Sequence, residues 1–287
     1  SDLSTGKLFR MEPKMYTLSL PNGTLVSDAR IVENTLEKWS NGRFNPSDVF
    51  GELSATPKHA IDEDIMISDT GLEPILVTGD HPSLHYRGHA LKRHKIWAQT
   101  SYAEGLLKYG YTGWQHSVAA ATRDVAAFPV LKDMMHWLNA HFSDILKDLE
   151  LPPCEAVFNH AIFTRYEDQH DFIGMHADKE IDFVPGSYFV IFKLGEARDF
   201  AFSANDSVFW QRKLPTGTAI IVKIGTANQM MKHGVPTMQT PCGPSGSIVF
   251  RCIETIVPWP TVRENIERSK REKVKRKERK RKKQDPK

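Results

Sequence analysis

Residues 159–199, NHAIFTRYEDQHDFIGMHADKEIDFVPGSYFVIFKLGEARD, hold the stretch from which the fold and the chemistry are both read. His176-Ala177-Asp178 stands at its centre, and His233 follows fifty-five residues after Asp178, in the run MMKHGVP. On an extended strand residues i and i+2 point to the same side, so His176 and Asp178 can reach one metal, with His233 supplied by a strand facing them. Two imidazoles and one carboxylate occupy one face of an octahedral iron and leave the opposite face open for oxygen and an organic cosubstrate. The pattern points to oxidation. His-x-Asp alone is a weak signal in a chain with twelve histidines, where a surface turn is the commoner origin of so short a match.

The surrounding sequence reads as strands. AVFNHAIFTRY, SYFVIFKL, DFAFS, TAIIVKI and SIVFRCIETIV are short, rich in β-branched and aromatic residues, and separated by Gly, Pro, Asp or Asn. Short strands without alternating helices predict two facing sheets, a jelly roll with metal at one mouth. The expected class is mostly β with flanking helices (α+β). One of those helices opens at Pro129, where Leu131, Met134, Met135, Leu138, Phe142, Ile145 and Leu149 recur at three- and four-residue steps, and Leu151-Pro152-Pro153 ends it. A second is expected over Asp28–Trp39, with Ile31, Leu36 and Trp39 on one side. DEDIMISDTGLEPILVTGDHPS reads as short strands and turns, and residues 1–80 as an N-terminal extension packed on the core.

In LHYRGHALKRHK, Arg87, Lys92, Arg93 and Lys95 stand among aromatic and His residues. Cations beside an exposed aromatic suit a phosphate backbone and an unstacked base, although a solvated basic loop accounts for them equally well. YGYTGWQ (Tyr109–Gln115), rich in Gly and aromatics, reads as core aromatics around a turn.

Composition narrows the class further. A chain of 287 residues, 40% hydrophobic and 25% charged, is ordinary for a globular protein. It has no run of eighteen apolar residues and no charged-then-apolar leader, so neither a membrane span nor a secretory signal is expected. Cys154, Cys242 and Cys252 form no metal-binding spacing, and their odd number argues against a disulfide framework; a reducing compartment, nucleus or cytoplasm, fits. The formal charge of +3 conceals an asymmetry, because fourteen Lys and Arg face five acids from Arg263 onward and leave an acidic body. After Val257-Pro258-Trp259-Pro260 the sheet is expected to stop, and residues 261–287 read as a basic tail, helical or disordered, that cannot bury a core.

RYEDQHDFIGMHADKE, then PGS, LGEARDF and HGVP, with FRCI beginning seventeen residues after His233, resemble the AlkB-type iron(II)- and 2-oxoglutarate-dependent nucleic-acid dioxygenases, above all their duplex-DNA repair members. The resemblance covers roughly Leu84–Ile256, within a domain placed at 81–260. It implies a double-stranded β-helix, with His176, Asp178 and His233 as iron ligands, Tyr166 hydrogen-bonded to the cosubstrate and Arg251 near its chelating end. It also implies that Glu180 approaches the amine of a flipped base, and that Tyr86 or His85 lies near the finger of a hairpin lid, with Arg87 beside it on the substrate. Arg198 stands where close relatives also have Arg, as a salt bridge or a substrate contact.

Three departures mark this chain. Ser245 replaces the arginine that the family sets on the distal carboxylate of 2-oxoglutarate, Ser247 replaces an Asn, and Thr164 replaces another. Strand parity puts Lys193 on one face with Phe189 and Ile191, close to where other branches of the superfamily place a lysine for that carboxylate. A buried ammonium needs an anion. Lys223 is the competing candidate, and either lysine can instead snorkel to solvent.

The function so implied is oxidative demethylation of methylated bases in DNA or RNA, by a monomer using Fe(II), 2-oxoglutarate and O2. Two alternatives stand beside it: a nucleic-acid-binding module without turnover, and an oxygenase of the same fold acting on protein or using another cosubstrate.

Overall fold

The computed structural model describes residues 13–59, 71–78, 85–86, 89–90, 93–102, 105–108, 118–119 and 121–262, with 264–265, 267–268, 271–272 and 274–275 beyond. YGYTGWQ and Arg87 lie outside the described residues, as does most of the basic tail. The first strands are β1 (Met15–Ser19), β2 (Leu25–Val32), β3 (Lys58–His59), β4 (Leu76–Val77), β5 (His85–Tyr86), β6 (His89–Ala90), β7 (His94–Gln99), β8 (Leu106–Leu107) and β9 (Thr122–Asp124). They are followed by β10 (His160–Tyr166), β11 (Ile173–His176), β12 (Tyr188–Gly195), β13 (Arg198–Ala204), β14 (Ser207–Leu214), β15 (Ala219–Lys223), β16 (Lys232–Val235), β17 (Ser245–Arg251) and β18 (Val257–Pro258). The helices used below are α1 (Leu36–Trp39), α2 (Pro46–Ser54), α3 (Pro129–Asp148) and α4 (Ala227–Met230).

Ten strands form one sheet, in the order β1-β2-β15-β12-β17-β10-β7-β4-β3 with β9 beside β7, and β11-β16-β13-β14 form the second. These are the two layers of the expected jelly roll. β12 shows how one strand serves both sides of the large sheet. Tyr188, Val190, Phe192 and Leu194 pack outward with Leu131, Met134, Leu138 and Phe142 of α3, whereas Phe189 and Ile191 pack inward with Phe200, Phe202 and Leu214 of the second sheet. A strand buried on both faces is apolar without alternation, and for that reason SYFVIFKL reads as one continuous run. Each such side chain contributes about 1.5–3 kcal/mol by leaving water. At the β13–β14 turn Asn205 and Asp206 both take left-handed backbone, φ 49° and 60°, the geometry of a two-residue hairpin that matches strand twist.

Four expectations are corrected. Leu25–Val32 is a strand, so the helix expected over Asp28–Trp39 shrinks to Leu36–Trp39. Ile31 pairs with Ile220 and Val32 with Ala219, and this long-range ladder outweighs the helical spacing of a few apolar residues. β1 and β2 accordingly add two strands to the β15 edge of the large sheet, so part of the first eighty residues belongs to the sheet itself. HKIWAQ is likewise a strand, with Ile96, Trp97 and Ala98 buried, so the basic stretch ends inside the large sheet. At the C-terminal end β18 pairs with β8, and Trp259 and Val262 are buried against Tyr102, Leu107 and Ala119. The folded body therefore runs past VPWP.

Candidate metal centre and its pocket

The antiparallel register of β11 and β16 sets His176 opposite His233, with ring centroids 4.5 Å apart. His233 was expected from a facing strand. It comes instead from the neighbouring strand of the same sheet, because antiparallel partners already stand about 4.5–5.5 Å apart. Asp178 lies two residues past the end of β11, and one ligand atom from each of the three residues falls within 4.8 Å of the others. The His176 Nδ1 is 2.8 Å from the Gly174 carbonyl; donation to that oxygen leaves Nε2 for a metal.

Protonation states match that role. Burial pushes both imidazoles toward the neutral form, His233 down to about 3 with His176 adding to the effect. Burial alone would raise the Asp178 carboxyl, but the Arg251 guanidinium opposes it and the group is held below its ordinary value. Arg251, the last residue of β17, reaches across from the large sheet and places Nη2 at 2.9 and 3.0 Å from the two Asp178 oxygens. Neutral imidazoles and an ionised carboxylate are a donor set that fits iron(II).

From this centre the inner face of the large sheet runs toward a second cationic end. Val249 packs inward and Ile248 and Phe250 outward, so Ser245, Ser247 and Arg251 share the inner face of β17. The ladder aligns Lys95 with Thr164, Thr164 with Ser247 and Ser247 with Lys193, a row of two hydroxyls flanked by two lysines. Lys193 is 1% exposed, and its ammonium has no hydrogen-bond partner among the described residues. It lies 5.8 Å from the Tyr166 ring and 5.9 Å from that of Phe200. Burial, with Arg198 adding to it, pushes its pKa down to about 7. The Ser245 hydroxyl beside it is also buried and unpartnered among the described residues. Tyr166, hydrogen-bonded to Ser247, completes the lining, its phenol pushed up by burial. Lys223 faces the other way, since it pairs with outward Tyr188 and lies 5.9 Å from that ring.

Two basic residues change role. Arg198 is fully buried and donates to the Asp168 and Asp171 carbonyls while lying 4.9 Å over the Tyr166 ring, so it is a structural anchor and not a substrate contact. Arg93 was read with the exposed basic stretch, yet it is buried and donates to the Phe172 carbonyl. Together they pin the segment that leads into β11.

Glu180 is also engaged: Asn228 and Gly225 donate to Oε1, and Gln229 to Oε2. Its carboxyl lies below the ordinary value because these bonds outweigh the raising effect of burial. Tyr86 pairs with His89 in the β5–β6 hairpin, within the stretch of sequence that the resemblance assigns to a lid. Asn228 was missed, and Lys95 was read with the basic stretch and not with the sheet face it stands on. Alternation in HKIWAQ would have revealed Lys95; nothing in the sequence singles out Asn228, whose role arises from contacts across the fold.

No family model matches the chain. The DNA oxidative demethylase ALKBH2 of Mus musculus is 31% identical over 114 residues, 35% of this chain and 46% of that protein. The Homo sapiens protein of the same name is 30% identical over 107 residues, 33% and 40% of the two chains. The chain thus spans less than half the length of these curated relatives. Among solved structures, OsALKBH1 is similar with a TM-score of 0.44 at 15% identity, covering 82% of this chain and 99% of that one. An oxidoreductase of the 2OG-Fe(II) oxygenase family from Burkholderia pseudomallei gives 0.33 at 18%, covering 44% and 57%. The AlkB-like resemblance is met by the curated relatives over about a third of the chain.

Proposed function

We propose that this AlkB-like chain is an iron(II)- and 2-oxoglutarate-dependent dioxygenase that demethylates bases in nucleic acid. The observation that carries the reading is the convergence of His176, Asp178 and His233 beside Arg251 of β17, on a sheet face that also carries Lys193, buried and without a hydrogen-bond partner among the described residues. Bound iron would supply oxygen activation coupled to decarboxylation of the keto acid, and the hydroxylated N-methyl group would leave as formaldehyde.

The chain's own residues do the rest. Arg251 keeps Asp178 ionised and oriented, its Nη2 donating to both carboxylate oxygens. Phe189 and Phe200, with ring centroids 5.2 and 6.0 Å from that of His233, keep water from one side of the imidazole. Lys193, with the hydroxyls of Tyr166, Ser245 and Ser247, takes the distal carboxylate in place of the arginine that Ser245 replaces. The Lys95–Lys193 row gives a dianionic keto acid the field that an acidic body otherwise lacks.

The nucleic-acid substrate rests on the activity for which the relatives are named, DNA oxidative demethylase, together with the pairing of His85–Tyr86 with His89–Ala90 and the basic tail. The flipped base would enter on the side of that hairpin, where Tyr86 and Arg87 stand in the sequence. Glu180 meets it only if its bonds to α4 are exchanged. A monomer in the nucleus or cytoplasm completes the reading.

Anaerobic titration of the iron(II) protein with 2-oxoglutarate tests it. A metal-to-keto-acid absorption band that vanishes in Asp178→Ala is expected, as is formaldehyde release from methylated oligonucleotides. Binding of oligonucleotides without any band would instead identify a binding module, and turnover without nucleic acid a different substrate.

A further inference from the structure

β11 ends at His176, but Asp178 still has to be held. Beyond that point the ladder with β16 has stopped, so the Asp178 main chain lacks a strand partner there. A side chain takes its place. Asn228 of α4, 2% exposed, accepts from the Asp178 N–H at 3.0 Å and donates to the Asp178 carbonyl at 2.9 Å. The same amide nitrogen donates to Glu180 Oε1 at 2.9 Å, and Glu180 is fixed by Gln229 Nε2 at 2.6 Å and Gly225 N–H at 3.0 Å. One acceptor and two donors on so short a stem are available only from Asn, and all of them are used.

We propose that Asn228 is a positioning residue for the metal centre: its amide substitutes for a missing strand at Asp178, and Glu180 orients that amide. The proposal rests on the reading of His176, Asp178 and His233 as metal ligands. Main-chain contacts on both sides of the Asp178 Cα fix the root of its side chain, and Arg251 fixes the tip. With root and tip held, the carboxylate is placed before a metal arrives. Glu180 thereby acts through Asn228, which accounts for a half-exposed acid whose two oxygens both accept bonds from the chain.

Cobalt(II) titrated without oxygen or cosubstrate reads this directly, through its ligand-field spectrum and dissociation constant. Asn228→Ala is expected to weaken cobalt binding by roughly 10–100-fold, the usual range for loss of a group that orients a ligand. Asn228→Asp, which keeps size and one acceptor but loses both donors, should weaken binding similarly and alter the spectrum, with circular dichroism reporting a retained fold. Glu180→Gln keeps an acceptor for Asn228 and should restore most of the affinity lost in Glu180→Ala. Wild-type cobalt affinity and spectrum in Asn228→Asp, with binding lost in Asp178→Ala, would overturn the role of Asn228 alone. Cobalt held equally by Asp178→Ala would overturn the metal-site reading and this proposal with it.

Discussion

Lys193 is the residue on which the departure from the AlkB pattern turns. Loss of a charge-assisted partner from a buried site costs about 2–5 kcal/mol, so Lys193→Met is expected to weaken 2-oxoglutarate roughly 30-fold or more, as read by anaerobic titration, while sparing metal. Lys223→Met should leave that affinity unchanged, since Lys223 stands on the outer face of the sheet with Tyr188 and Lys193 on the inner one. Lys193 also gives a pH signature. Its pKa of about 7 in the folded chain lies below the ordinary 10.5, so between these values the unfolded chain binds more protons and stability without cosubstrate rises with pH. Chemical denaturation across that window should show the rise, and Lys193→Met should flatten it. Cosubstrate affinity runs the opposite way, greatest below about pH 7 and falling above it, where binding has to recruit a proton. At the other end of the pocket, alanine at His176, Asp178 or His233 should abolish iron binding with the fold retained. The triad was legible because ligand types and i, i+2 spacing are written in the chain. Arg198 was not, because burial against the Asp168 and Asp171 carbonyls depends on a loop returning to β13.

The strands and α3 were legible where a hydrophobic period was long or a run was buried on both faces. α3 covers the expected stripe as far as Ile145, β10 and β15 lie within the runs read as strands, and β12, β13 and β17 overlap theirs. β14 was not, because SVFWQRKL mixes charged and aromatic residues along a strand that is largely open to solvent. β11 was read only through its ligands, since four residues carry too little pattern. Contact between β11 and β16 is close enough to test at one glycine. A Cβ on Gly234 would come within 2.8 Å of the Ile173 carbonyl oxygen and of the Met175 sulfur. Gly234→Ala is therefore expected to cost about 1–3 kcal/mol by overpacking, and to weaken metal binding by parting His233 from His176. Thermal unfolding with and without cobalt(II) separates the two effects.

At the scale of the whole molecule, charge and connectivity dominate. Residues from Arg263 onward carry fourteen basic side chains above an acidic body, and Val262 is the last residue of the Tyr102–Trp259 cluster. Ending the chain after Val262 is expected to lower oligonucleotide affinity and flatten its salt dependence with little change in thermal midpoint. Equal binding and slope in the shortened chain would assign the tail another role. Connectivity has a further consequence, for how the molecule is made. β17 lies between β10 and β12, at the middle of the large sheet, yet at residues 245–251 it follows both of them in the chain. A nascent chain leaving the ribosome has β10 and β12 long before the strand that joins them, and both then present unpaired backbone edges. The order of synthesis thus delays closure of the sheet until β17 emerges, well after both of its neighbours, and pairings of such long sequence separation are slow to form.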